Sequence, residues 1–121
     1  MKLYCKKCKY LLVEGLIKAK SSEVIYTDEI SLIPKGKYLI NNDVWNFEDL
    51  QITYLINIKS IKLKDHYDYK KMQGCCGPSG LDGLNQLCPT CNEEIGVLIA
   101  DCFTPHFIGI EKNKVSEDPL W

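Results

Sequence analysis

The sequence predicts a mainly β domain with antiparallel sheets, and three observations carry that prediction. Apolar residues alternate along Leu50–Lys64, only Trp45–Leu50 has room for a short helix, and turn signals break the chain repeatedly. Tyr10–Ile17, Val24–Tyr26 and Tyr38–Ile40 are the first strand candidates. Pro34-Lys35-Gly36 and Asn41-Asn42-Asp43 are turns, and Asn42 or Asp43 is a suitable N-cap for the short helix. In Leu50–Lys64, Ile52, Tyr54, Ile56 and Ile58 share one parity, which flips at Ile61 and Leu63, predicting a bulge or turn at Lys59-Ser60. Ile95–Ala100 and Phe107–Ile110 complete the strands. The stretch Gly74–Gly83 repeats glycine too often for a helix or strand and must be a loop. No composition shift marks an internal boundary, so residues 1–112 read as one domain. Residues 113–121 read as a polar tail that frays unless Leu120 and Trp121 dock.

Composition narrows the function classes. Fifteen cations, all Lys, against sixteen acids leave a formal charge of −1, so no bulk field favours nucleic acid or anionic lipid. The absence of Arg removes the side chain best suited to bidentate recognition of guanine or phosphate. Lys59, Lys62, Lys64, Lys70 and Lys71 with Tyr67 and Tyr69 form a basic, aromatic stretch, but Asp65 and Asp68 dilute it. Nucleic acid is therefore disfavoured as a partner. No apolar h-region opens the sequence and no apolar run has the length of a membrane span, which predicts a cytoplasmic protein without a membrane partner.

Seven cysteines without a secretory signal point to metal or thiol chemistry before disulfides. Cys5-x2-Cys8 and Cys88-x2-Cys91 have the spacing of two metal knuckles, which together complete a tetrahedral site. Residues 9–87 separate them, so one ion would close a long loop. Four thiolates with no open position predict a structural Zn²⁺. Cys88-Pro89-Thr90-Cys91 runs into a strand-like segment, unlike a redox dithiol at a helix N-terminus. His66-Tyr67-Asp68 lacks the His-x-Glu of a zinc deaminase, and Pro89 lies inside the cysteine pair rather than before it.

Three further features are candidates for function. Adjacent Cys75 and Cys76 point in different directions. Cys76 is a reserve ligand should a knuckle be incomplete, and a disulfide between neighbours would be strained. Gly77, Gly80 and Gly83 allow outward-facing amides, which could form an anion or peptide pocket or simply turn the chain. Cys102 and His106 are a candidate reactive pair, with a core thiol and a strand-initiating His as the plainer alternative.

Two distant CxxC knuckles, the second continuing as Cys91-Asn92-Glu93-Glu94-Ile95-Gly96, resemble those of the Yippee-type β-tent domains. Cereblon ligand-binding domains and methionine sulfoxide reductase B are similar in this respect. The resemblance spans about Leu3 to Ile110 and implies two antiparallel sheets meeting at an angle, with zinc on Cys5, Cys8, Cys88 and Cys91. The reductases' Gly-Trp-Pro-Ser-Phe segment has no counterpart here, and a cereblon-type aromatic cage would have to come from Trp45, Phe103 or the tyrosines. The run Gly74–Asn85 with Asp101-Cys102-Phe103-Thr104 is also similar to a group of bacterial proteins, a resemblance that implies no particular activity. Together these readings predict a non-enzymatic bacterial zinc module acting by protein or small-ligand binding. An immunity protein facing a toxin, or a regulator, would fit. The alternative is a thiol-dependent enzyme using Cys102 or the Cys75-Cys76 loop.

Overall fold

A computed structural model describes residues 1–42, 44–45, 47 and 49–118, and they form two sheets. The strands are β1 (Leu3–Cys5), β2 (Leu11–Val13), β3 (Ile17–Lys18), β4 (Lys37–Ile40), β5 (Ile52–Ile56), β6 (Lys64–Asp65), β7 (Gln86–Leu87), β8 (Glu94–Ile99), β9 (Phe107–Glu111) and β10 (Val115–Ser116). A small sheet has the order β10-β1-β2 and a large one the order β3-β4-β5-β9-β8-β7-β6. Every pairing is antiparallel except β3 with β4. The mainly β prediction holds, with that one parallel pair added at the edge.

The large sheet buries both faces. Ile56, Ile108 and Ile110 pack with Leu3, Leu12, Val13 and Val115 of the small sheet. Leu55, Val97, Ile99 and Phe107 pack with Ala19, Leu32, Ile33 and the half-buried Trp45 and Phe47. Double burial explains why β8 and β9 read as apolar runs rather than alternating patterns. It also sets the two functional neighbourhoods, since cysteine knuckles border the first cluster and a cavity borders the second.

Several expectations are corrected. Val24–Tyr26 forms no strand, and Tyr10–Ile17 divides into β2 and β3 around Gly15. The turn expected at Lys59-Ser60 is present, as a 3₁₀ turn at Ile58–Ser60, where the Asn57 side chain accepts from the Lys59 amide at 2.9 Å and donates to the Ile33 carbonyl at 2.8 Å. At the described residues of 45–50 no helix forms. The Asn41 side chain accepts from the Trp45 amide and donates to the Trp45 and Ile52 carbonyls, binding the backbone that a helix would need. Asn42 caps nothing there, and Asp43 lies outside the described residues. Structure also continues past residue 112, because β10 pairs with β1 as Tyr4↔Ser116 and Cys5↔Val115. Leu120 and Trp121 lie outside the described residues. Among the described residues no helix is long and apolar enough to cross a membrane.

Candidate functional site

Two turns with the same backbone geometry build the four-cysteine group. In the first, the Cys5 amide donates to the Tyr10 carbonyl at 2.8 Å, and the Lys9 amide donates to the Cys5 carbonyl at 2.7 Å. In the second, the Cys88 amide donates to the Glu93 carbonyl at 2.8 Å, and the Asn92 amide to the Cys88 carbonyl at 3.1 Å. Lys9 and Asn92, each following the second cysteine of its pair, sit at φ 65° and 63°. That left-handed residue turns the chain back so that both thiols of each knuckle face inward.

The four sulfurs of Cys5, Cys8, Cys88 and Cys91 lie within 4.8 Å of one another. Cys5 Sγ is 3.6 Å from Cys91 Sγ, and Cys8 Sγ is 3.7 Å from Cys88 Sγ. A tetrahedral ion with sulfur bonds of about 2.3 Å has edges of about 3.8 Å, so the donor set is spaced for a metal. Cys5 and Cys88 are fully buried, Cys91 is half-buried and Cys8 is exposed. Burial pushes the Cys5 thiol up to about 12 and raises Cys91 as well. The Thr90 hydroxyl, 3.1 Å from Cys8 Sγ, holds that thiol down at about 6. Four ionised sulfurs this close need a compensating cation, and a metal dication supplies one.

The glycine-dense loop lies against the end of β8. A Cβ on Gly77 would meet the Ala100 carbonyl oxygen at 2.5 Å. One on Gly80, at φ 78°, would meet Ile99 Cγ1 at 2.7 Å. These glycines therefore serve close backbone approach. The approach brings Cys75 and Cys76 to Cys102, not to the four-cysteine group, so the reserve ligand belongs to a separate cluster. Cys76 and Cys102 form a disulfide with a Cα–Cα distance of 5.3 Å. Reading Cys102 as a buried core thiol missed this pairing. Asp101 organises both loops: its Oδ1 accepts the Cys76 amide at 2.9 Å and the Cys102 amide at 2.8 Å. Those amides hold the Asp101 carboxyl below the usual carboxylate range. His106 Nε2 lies 3.1 Å from the Asp101 carbonyl, to which it donates, so Cys102 and His106 have different partners.

Beside this loop lies a cavity of about 470 Å³. It is lined by Trp45 and Phe47, by Ser79, Gly80 and Leu81, and by Asp101 and Thr104. Trp45 and Phe47 stand edge-on to the buried Phe107 ring, at 5.5 and 6.4 Å between centroids, which fixes the aromatic wall. Of the aromatics expected for a cage only Trp45 lines the cavity among the described residues; Phe103 is 83% exposed, and neither it nor a tyrosine is part of the lining.

Two of the buried polar residues carry no sign of burial in the sequence. Asn85 is fully buried: it accepts the Leu98 amide at 2.6 Å and donates to the Lys71 and Leu98 carbonyls, tying the loop's end to β8. His66 is buried with Nδ1 accepting the Asp68 amide at 3.0 Å, which puts its proton on Nε2 facing Glu94 at 3.1 Å. A short polar side chain within a loop carries no sequence signal of such burial. Tyr67 and Tyr69 of the basic stretch are strongly exposed, while Lys71 Nζ contacts the Asp82 carbonyl at 3.3 Å. No family model, curated protein or solved structure matches this chain.

Proposed function

We propose that this protein is a non-enzymatic binding module, clipped by a structural Zn²⁺ on Cys5, Cys8, Cys88 and Cys91, that receives a small ligand in the cavity beside its glycine-dense loop. The observation that carries this reading is the meeting of Trp45, Phe47 and Asp101 around about 470 Å³. Small-molecule pockets have this size and this mixture of apolar wall and few polar groups. With its carboxyl held low, Asp101 is ionised at neutral pH and favours a ligand that pairs a flat apolar ring with an ammonium or N–H donor. A concave site of this kind supports the small-ligand branch of the expectation over a flat protein contact. Four sulfur ligands leave the zinc no open position, which supports a structural role. Against the thiol enzyme stands the Cys76–Cys102 disulfide, which leaves Cys102 no free thiol to act as a nucleophile. Two sheets joined at a four-cysteine group also suit the β-tent resemblance.

Phenethylamine, an aromatic ring carrying an ammonium, is a direct probe. Titrated into ¹⁵N-labelled protein, it should shift the amides around Trp45, Gly80 and Asp101, and Trp45→Ala and Asp101→Asn should each weaken those shifts at least fivefold. Shifts that are absent at millimolar probe, or unchanged in both variants, would overturn the ligand assignment. Elemental analysis of the disulfide form should give one zinc per chain, and a metal-free folded protein would overturn the clip.

A further inference from the structure

Cys75, Cys76 and Cys102 place three sulfurs within 4.8 Å of one another. We propose that in the reduced chain these three thiolates are a second metal site, taking a thiophilic d¹⁰ cation, and that the Cys76–Cys102 disulfide is its closed state.

The scaffold holds the three residues together through its backbone. The Ala100 amide donates to the Pro78 carbonyl at 2.9 Å, and the Ser79 amide to the Gln73 carbonyl at 3.0 Å, which fixes the loop on the end of β8. One oxygen of Asp101 then fixes the amides of both Cys76 and Cys102. None of these bonds involves sulfur, so reduction leaves the thiols in reach of one another. Asp101 Oδ1 also lies 3.5 Å from Cys102 Sγ, close enough to accept from that thiol before a cation displaces its proton.

The donor chemistry selects the ion. Three thiolates prefer soft d¹⁰ cations to Mg²⁺ or Ca²⁺, which take oxygen ligands. Three protein ligands also leave a fourth position open, and it faces solvent because Cys75 and Cys76 are exposed. The site thus differs in kind from the four-cysteine centre: its ion is reachable and exchangeable.

Oxidation and metal binding compete for the same sulfurs. With a peroxide as oxidant, the sulfurs of Cys76 and Cys102 each give up one electron, and the two protons come from the thiols themselves when metal-free or from solvent when they are metal-bound thiolates. The S–S bond forms, the O–O bond breaks, and with hydrogen peroxide two waters leave. Only Cys75 then remains as a ligand, and the cation is released. Two equivalents of a small thiol reverse the step, ending as their own disulfide and restoring both protein thiols.

Cadmium-113 is the probe. The fully reduced chain should take up two Cd²⁺ and show two ¹¹³Cd resonances, one from each sulfur set. The disulfide form should take up one. Cys75→Ser, at an exposed position, should keep the fold and lose only the second resonance, while Asp101→Asn should weaken that site at least tenfold and leave the first unchanged. A fully reduced chain that shows only the resonance also present in the disulfide form would overturn the proposal. So would a second equivalent that persists in both Cys75→Ser and the disulfide form. Failure of the four-cysteine centre would remove the other resonance, so the two sites are read separately.

Discussion

The two cysteine groups are built by opposite means. The four-cysteine centre rests on strand ends: two hairpin turns of matching hydrogen bonds and matching left-handed residues present sulfurs at the border of the core between the sheets. The three-cysteine group rests on loops, and a carboxylate side chain rather than a ladder sets its spacing. Burial differs in the same sense but less sharply: Cys5 and Cys88 are inaccessible while Cys8 is exposed, and in the other group Cys75 and Cys76 are open to solvent. Sulfurs fixed by the fold's own ladders suit an ion that stays, whereas sulfurs fixed by one side chain on the surface suit chemistry that comes and goes.

The comparison breaks most easily at the first group. Cys5→Ser or Cys91→Ser should remove on the order of 10 kcal/mol of zinc-coupled stability, as much as a domain's whole margin, and abolish cooperative melting. Cys75→Ser should melt within about 0.5 kcal/mol of the parent. Circular dichroism melts with and without chelator check both. Chelator-insensitive, cooperative melting of Cys5→Ser near the parent temperature would show that the knuckles do not hold the domain together. A smaller effect is expected at Cys102→Ser. Under oxidising conditions it should cost about 3 kcal/mol, the loop-closure contribution of a crosslink of sequence separation 26. Under reductant that difference should vanish, which urea unfolding in the two conditions would reveal. Smaller than the disulfide effect is that of Lys9→Gly. Relief of the left-handed conformation at φ 65° should stabilise the protein by about 1 kcal/mol, and Asn92→Gly should give less because Asn tolerates that region better. Equal gains at both positions, or a loss at Lys9, would contradict the view that the two turns differ only in the cost of that residue.

Legibility followed the length of the pattern and the range of the contact. The paired CxxC spacing announced the gathering of four cysteines because each knuckle is local, and β5, β8 and β9 are long enough to show period or apolar run. Strands of two residues, such as β3, β6, β7 and β10, hold no period, and their existence depends on partners elsewhere in the chain. The Trp45–Leu50 helix was a local reading overruled by the Asn41 side chain. Cys76 found Cys102 through a close backbone approach that glycine permits but whose destination it does not encode. The cavity arises where three distant segments meet, and the local pattern of each says nothing of the others.

The register Cys5↔Val115 and the contact of Cys5 with Cys91 bear on how the chain is made. During synthesis the first knuckle leaves the ribosome long before either partner exists. It offers two thiols, half a ligand set, to a cell containing oxidants and competing metals. The small sheet cannot close until Val115–Ser116 follows, so its centre strand waits longest for its second neighbour. Folding dominated by such distant pairings is slow. Binding of an ion by all four sulfurs would therefore be a late event, gated by the emergence of Cys91, and a nascent chain stalled before Cys88 would hold an ion by half a grip.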